Sequence, residues 1–255
     1  MEKHLLDLVV TKATELRAGY AELRLARTNG PLPPMVPGQF VEVRIDDTPS
    51  VFLRRPISIN NVTDDELWLL VHAVGDGTRW LTNCREGDVV NVLGPLGNGF
   101  DLDAAGQRPL LVGGGVGTAP LLYLGRELVT RGAQPTFLLG GRTADDVLQL
   151  DEFSRAGQVL LTTEDGSAGE QGFVTQHSVW RNATFTGICS CGPKPMMWAV
   201  ARLSKELGIG SCQLSLENMM ACGLGACLCC VDDTVDDNVC VCKEGPVFEA
   251  SKLKC

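Results

Sequence analysis

A multidomain fold in three parts is what this sequence predicts: an antiparallel β-barrel over 1–101, an α/β domain with a parallel sheet over 102–210, and a small cysteine-rich module over 211–255. Three observations carry that reading. Up to about residue 100, short Val- and Leu-rich segments are separated by turn formers; from Pro109 onward strands alternate with helical stretches around a glycine run; and beyond Gly210 the composition shifts to MMACGLGACLCC.

In the first part Tyr20 to Ala26, Gln39 to Ile45, Leu67 to Val74 and Asp88 to Leu93 are short and partly alternating, with Gly30-Pro31, Pro33-Pro34 and Pro37-Gly38 as turns between them. Several short strands at such spacing make a barrel or sandwich. Between two of these candidates stands Leu53-Arg54-Arg55-Pro56-Ile57-Ser58-Ile59, a rigid turn linking a fixed cation to a hydroxyl. A solvated arginine pair at a strand end would look the same. Gly75-Asp76-Gly77-Thr78 reads as a backbone nest for a phosphate oxygen or as a plain glycine turn.

The second part opens with a compact apolar strand, Pro109 to Val112, then Gly113-Gly114-Gly115-Val116-Gly117-Thr118-Ala119-Pro120, then a helix over Ala119 to Val129. Glycines between a strand and a helix let backbone N–H groups approach a pyrophosphate, and the helix N-terminus adds positive potential. Gly113, Gly114, Gly115, Gly117 and Thr118 are therefore the expected dinucleotide site, on a G-x-G-x-x-P pattern whose Pro120 sits where a missing donor does no harm. Further strands are expected at Thr136 to Leu139, Val159 to Thr162 and Thr184 to Cys189, and a helix over Pro195 to Leu207. Cys191-Gly192-Pro193 again lies where a strand meets a helix, which puts Cys191 at the crevice where open α/β sheets bind ligands, unless it is an ordinary buried thiol. The polar loop Thr162 to Ser167 follows a strand and borders the same crevice on that topology.

In the third part Cys222, Cys227 and Cys230 stand as C-x4-C-x2-C, and Cys240 and Cys242 follow. That is the spacing of a plant-type [2Fe-2S] cluster, with a tight loop round one side and a more distant thiolate closing the other. Gly223, Gly225 and Ala226 leave room for the backbone to fold over inorganic sulfide. A disulfide framework suits small secreted chains rather than 255 residues without a signal-like N-terminus. A zinc site usually separates two short cysteine pairs by a longer spacer, so the glycine-filled C-x4-C fits it less well.

Composition excludes other classes. The formal charge of −9, with no run of lysine or arginine, argues against nucleic acid. Apolar stretches are short and interrupted, so no membrane span is expected, and eleven cysteines suit a reducing cytoplasm and redox or metal chemistry. His4, His72 and His177 show no metal spacing, and no serine-hydrolase or paired-carboxylate pattern stands out.

The order of motifs, LRRPIS, VLGPLGNGF, GGGVGTAPL, TTEDGS, CGPKPM, LENMMACGLGAC and CKEGPVF, covers nearly the whole chain. In that order they resemble the ferredoxin-reductase flavoproteins and, within them, the iron-sulfur electron-transfer subunits of NAD-dependent dihydroorotate dehydrogenase. The resemblance implies that Arg55, Pro56, Ile57 and Ser58 line FAD, that Leu70, Val71 and His72 also touch it, and that Gly77 and Thr78 hold its pyrophosphate. His72 stands where relatives often carry arginine. It also implies that NAD binds at the glycine run and at Cys191, Gly192 and Pro193, and that Cys242, which precedes Lys-x-Gly-Pro-Val-Phe, is the fourth cluster ligand beside Cys222, Cys227 and Cys230. Cys229 and Cys240 would then be bystanders. One FAD and one [2Fe-2S] cluster per chain are implied, with NAD+ as co-substrate and an FMN-bearing catalytic subunit as partner in a heterotetramer of pyrimidine biosynthesis. Related subunits of bifurcating transhydrogenases, sulfide dehydrogenases or hydrogenases share the same domain order.

Overall fold

The computed structural model describes residues 2–182 and 184–254. Contacts divide the chain into two compact units: Met1–Gly99 with Asn218–Asp232 and Val239–Pro246, and Phe100–Glu217 with Asp233–Asn238 and Val247–Cys255. The cysteine-rich tail, expected as a module of its own over 211–255, is thus shared between the two.

The first unit is built on a closed barrel of β1 (His4–Arg17), β2 (Tyr20–Arg27), β3 (Phe40–Val43), β4 (Arg55–Val62), β5 (Glu66–His72) and β6 (Val89–Leu96), with α1 (Asp76–Thr82) between the last two strands. Its strand order is β1-β2-β5-β4-β3-β6, antiparallel throughout. Alternating residues fill the interior: Leu6, Leu8 and Val10, then Leu23 and Leu25, Val41 and Val43, Ile57 and Ile59, Val90 and Val92, all buried. Packing inside is tight, since a Cβ on Gly94 would lie 2.8 Å from Val41 Cγ1. The Arg-Pro-x-Ser stretch, read as a turn between strands, is itself the start of β4. Pro56 is accommodated as the second residue of that strand, near its end, where a lost ladder donor costs least.

The second unit begins with α2 (Leu102–Ala105), capped by the Asp101 carboxylate on the N–H groups of Asp103 and Ala104. It continues with β7 (Leu110–Gly114), α3 (Ala119–Thr130), β8 (Thr136–Gly141), α4 (Leu150–Ala156), β9 (Gln158–Thr163), β10 (Glu170–Gln171), β11 (Ile188–Cys191), α5 (Lys194–Glu206) and β12 (Cys212–Ser215). After the tail's ribbon of β13 (Val231–Asp233) and β14 (Asn238–Cys240) and the short α6 (Val241–Glu244), β15 (Val247–Glu249) completes a seven-stranded sheet. The order is β10-β9-β8-β7-β11-β12-β15, parallel except for β15. Phe137 and Phe153 meet edge to face at 5.0 Å in its core. Gly125 on α3 admits Phe137, whose Cζ lies 2.2 Å from where a Cβ would be. Two strands, β12 and β15, lie beyond what periodicity predicts. Cys212 to Ser215 has little β-branched character and β15 is three residues long.

Strand order reverses at β7, with β8 on one side and β11 on the other. That reversal creates the crevice at the carboxyl ends of strands where open sheets take their ligands.

Candidate functional site

In the cysteine loop the backbone of Gly223 (φ +65), Gly225 (φ +77) and Leu228 (φ +59) is left-handed. Such alternation turns successive N–H groups inward. The Leu224 N–H donates to Cys222 Sγ at 3.4 Å, the Gly225 N–H to Cys242 Sγ at 3.1 Å, and the Cys242 N–H to Cys230 Sγ at 3.3 Å. Among the described residues neither Cys229 nor Cys240 receives an N–H at sulfur, although both are free thiols. Burial disfavours ionisation of Cys222, but the N–H groups of Leu224, Cys227 and Ala226 outweigh it and hold the thiol down at about 6. Cys242 is pushed up to about 12 by burial and by its hydrogen bond with Cys230.

The thiols stand as two pairs, Cys222 with Cys227 and Cys230 with Cys242. No three His, Cys, Asp or Glu side chains among the described residues close round a single ion. Two pairs of cysteine sulfurs reached by backbone N–H groups fit a two-iron cluster better than one tetrahedral zinc.

The loop after β6 clamps the segment that carries Cys242. Asn98 donates from its side chain to the carbonyls of Lys243 at 3.0 Å and Glu244 at 2.9 Å, and from its backbone to Gly245 at 2.6 Å. Gly97 (φ +74) has no room for a side chain, since a Cβ would lie 2.6 Å from Pro246 Cδ. The motifs VLGPLGNGF and CKEGPVF therefore meet as the two halves of one clasp.

On β4, Ile57 and Ile59 face the barrel interior while Pro56 and Ser58 stand on the outer face, opposite Glu42 and Phe40 of β3. Arg55 lies across the first turn of α1: a Cβ on Gly77 would be 2.7 Å from Arg55 Nε. The Thr78 hydroxyl is engaged within that turn, accepting from the N–H groups of Val74 and Gly75 at 2.9 and 3.1 Å. The strand and the glycine turn expected to hold FAD thus come together, with a cation over backbone donors suited to a pyrophosphate. Leu70 and Val71 are buried in β5, where they pair with Glu22 and Ala21 of β2. His72 stacks on Tyr20 at 4.0 Å with the rings 7° from parallel, and burial followed by the nearby Arg17 charge lowers its pKa. A neutral, stacked imidazole cannot replace a cation on a phosphate.

In the second unit the glycine run and the Cys-Gly-Pro turn sit on neighbouring strands, Gly113 opposite Cys191. A Cβ on Gly113 would meet Thr118 Cγ2 at 2.8 Å, on Gly114 Met196 Sδ at 2.7 Å, and on Gly117 the Gly192 Cα at 2.4 Å. Gly115 differs: it has φ +57 and open space where a Cβ would go, which leaves room beside this turn for a ligand. Pro193 caps the start of α5, against the glycine run. Cys191 is fully buried, and burial, then the charge of Glu217, pushes its thiol well up, so it is a thiol rather than a thiolate. The Thr162 to Ser167 loop closes on itself: Thr163 Oγ1 bonds Ala168 at 2.9 Å, and Ser167 bonds Asp165 at 2.6 Å.

Sequence reasoning missed Glu42. It is fully buried in β3, neither carboxylate oxygen has a hydrogen-bond partner among the described residues, and burial raises its pKa to about 7 against the opposing Arg54 charge. The one available signal was an acid inside the apolar run Phe40-Val41-Glu42-Val43.

Comparison with known proteins bears on all three regions. Residues 217–254 match the iron-sulfur cluster binding domain of dihydroorotate dehydrogenase B, and residues 111–202 match an oxidoreductase NAD-binding domain. The dihydroorotate dehydrogenase B (NAD(+)) electron transfer subunit of Lysinibacillus sphaericus is 45% identical over 222 residues, 84% of this chain and 85% of that one. The subunit of the same name from Listeria monocytogenes is 40% identical over 255 residues, 97% of this chain and 98% of that one. The chain belongs to the family of dihydroorotate dehydrogenase B electron transfer subunits. It is an oxidoreductase subunit whose cofactors are FAD, an iron-sulfur cluster and NAD, and its fold is that of the ferredoxin reductases. An NADH-dependent reduced ferredoxin-NADP oxidoreductase, solved in a study of flavin-based electron bifurcation, superposes with a TM-score of 0.85 at 28% identity, covering 100% of this chain and 91% of that one. A cytochrome P450 reductase from Amycolatopsis shares the fold at a TM-score of 0.68 and 23% identity, over 82% of this chain and 67% of the other. Family membership ties the pyrimidine pathway and a catalytic partner subunit to this chain. No helix among the described residues is long and apolar enough to cross a membrane.

Proposed function

We propose that Cys222, Cys227, Cys230 and Cys242 hold a [2Fe-2S] cluster through which this chain passes electrons from an FMN-bearing catalytic subunit to FAD and on to NAD+. The observation that carries this reading is the hydrogen-bond pattern: backbone N–H groups reach Cys222, Cys230 and Cys242, Cys227 joins the set through its side-chain bond with Cys222, and no N–H among the described residues reaches Cys229 or Cys240. When bound, a flavin exchanges two electrons with nicotinamide and single electrons with an iron-sulfur cluster, which is why one chain carries sites for all three.

The chain's own residues bind, orient and insulate. Arg55, Pro56 and Ser58 line FAD, Ile57 backs them from inside the barrel, and Leu70, Val71 and the edge of His72 on the next strand complete that side. Gly77 and Thr78 offer main-chain donors to its pyrophosphate under the Arg55 guanidinium. Gly113, Gly114, Gly115, Gly117 and Thr118 shape the nucleotide turn, Gly115 supplying the open approach. Cys191, Gly192 and Pro193 form its far wall, where a buried thiol keeps water away and takes no covalent part.

Met219, Leu228 and Leu224 are 83%, 63% and 41% exposed round the cysteine loop. An apolar rim on an electron-carrying loop supports docking of the catalytic subunit there, in a cytoplasmic heterotetramer of two of each chain. The likeness to the bifurcating oxidoreductase supports one rival, a subunit serving another flavoenzyme. Co-expression with a candidate FMN subunit separates them. NAD-linked dihydroorotate oxidation that neither chain shows alone is expected, and its absence from a stable complex with full cofactors overturns this reading.

A further inference from the structure

The barrel carries a buried acid that no role described above uses. Glu42 is 0% exposed, and both its carboxylate oxygens lack a hydrogen-bond partner among the described residues. Burying a carboxyl group without partners is costly, so an orphan of this kind points to something that stands beside it in the working protein. Its neighbours on either side are known. Against one side of the carboxyl is the cysteine loop: a Cβ on Gly223 would lie 2.8 Å from Glu42 Cγ and 3.1 Å from Glu42 Oε1. On the other side is the flavin strand, where Glu42 is paired in register with Pro56 on the same outer face of the barrel. The charges that face it are Arg54 and Arg55 from the start of β4 and Cys222 from the loop. Neither arginine reaches the carboxylate. The Arg54 guanidinium donates instead to the Glu42 main-chain carbonyl at 3.2 Å and to Asn91 Oδ1 at 2.6 Å, and Arg55 donates to the carbonyl of Leu53 at 2.9 Å.

We propose that Glu42 is a positioning and tuning residue for electron transfer, the acidic group between the cysteine loop and the flavin strand that sets how readily the cluster accepts an electron. The proposal rests on the cluster reading above. No bond to Glu42 forms or breaks in this role. A carboxylate in a water-excluded site beside the cluster opposes the arrival of a further negative charge and so lowers the cluster's reduction potential. A reduced cluster is thereby a better donor toward FAD. Burial explains why one residue suffices, since no solvent screens it.

The test compares Glu42→Gln, which keeps volume and removes charge, with Glu42→Asp, which keeps charge and removes volume, in the full chain loaded with FAD. Iron and acid-labile sulfide are measured first and report on the cluster reading alone. The cluster's midpoint is then followed by electron paramagnetic resonance at pH 8. The expected result is a wild-type midpoint for the aspartate variant and a more positive one for the glutamine variant, on the order of tenfold in the reduction equilibrium, or about 59 mV for one electron. A glutamine variant with two irons and an unmoved midpoint overturns the proposal. Should that variant lose iron, Glu42→Met, also uncharged and of similar volume, decides: a midpoint raised relative to the aspartate variant upholds the tuning role, and one equal to it overturns it.

Discussion

Gly117 packs so closely on Gly192 that a Cβ on the first would stand 2.4 Å from the Cα of the second. Both neighbours are backbone, which cannot yield as a flexible side chain would. Two turns at the carboxyl ends of adjacent strands are held together by the lack of a methyl group. Gly117→Ala is therefore expected to lower the melting temperature by several degrees and to cut NADH-dependent dye reduction at least about tenfold. Gly115→Ala meets open space and suffers only its left-handed φ, a cost of about 1 kcal/mol. It should melt nearly as the wild type does while its KM for NADH rises. Differential scanning calorimetry and steady-state kinetics on both variants distinguish packing from ligand approach.

Single thiol substitutions test the ligand set. Cys242→Ser should lose most of its iron, since it removes the sulfur that accepts from Gly225 at 3.1 Å. Cys229→Ser and Cys240→Ser should keep two irons per chain. Equal loss in Cys240→Ser would reassign the fourth ligand. Iron and sulfide analysis after anaerobic purification gives the answer.

Asn98→Ala should loosen the clasp without touching a thiol. It removes two hydrogen bonds, to the carbonyls of Lys243 and Glu244, worth about 1 kcal/mol each. FAD content is expected to hold, while release of iron to a chelator speeds up several-fold. A release rate equal to that of the wild type would show that the clasp does not restrain Cys242.

The pH dependence of stability follows from Glu42. Its carboxyl is raised by burial from 4.5 to about 7, so the folded chain holds a proton that the unfolded chain gives up. The contribution is complete below about 4.5 and is lost as pH rises through about 7. Asp76, Asp165 and Glu170, held below the usual carboxylate range chiefly by hydrogen bonds from Arg79, Ser167 and Ser178, act in the opposite sense. Their contribution is present above the ordinary carboxylate pKa and fades as pH falls below it. Thermal unfolding should thus show wild type losing stability between about 4.5 and 7 relative to Glu42→Gln. Parallel curves across that window would contradict the assignment.

How much of this was legible beforehand differs from element to element. The continuous apolar run Leu67 to Val71 announced β5, and the glycine run between an apolar segment and a helix announced the nucleotide turn, because both signals are local. β4 was hidden because Pro56 reads as a turn until its place near a strand end is seen. The spacing of Cys222, Cys227 and Cys230 pointed to a cluster, yet spacing alone could not choose between Cys240 and Cys242. That choice is favoured by Gly225, an N–H from another part of the loop. The isolation of Glu42 was unreadable for a similar reason. The residue that covers it, Gly223, lies far along the chain, and burial made by distant segments leaves no periodic trace.

Strand β15 follows directly after the cysteine segment and pairs antiparallel with β12 through Gln213, Leu214 and Ser215. Its Glu249 accepts from the Cys212 N–H at 2.7 Å and the Ser211 hydroxyl at 2.9 Å. A stop codon in the cysteine segment, ahead of Val247, would therefore do more than remove an electron carrier, since it also strips the border strand from the nucleotide-binding sheet. Only point substitutions, never shortening, can separate loss of iron from loss of nucleotide chemistry in a genetic screen.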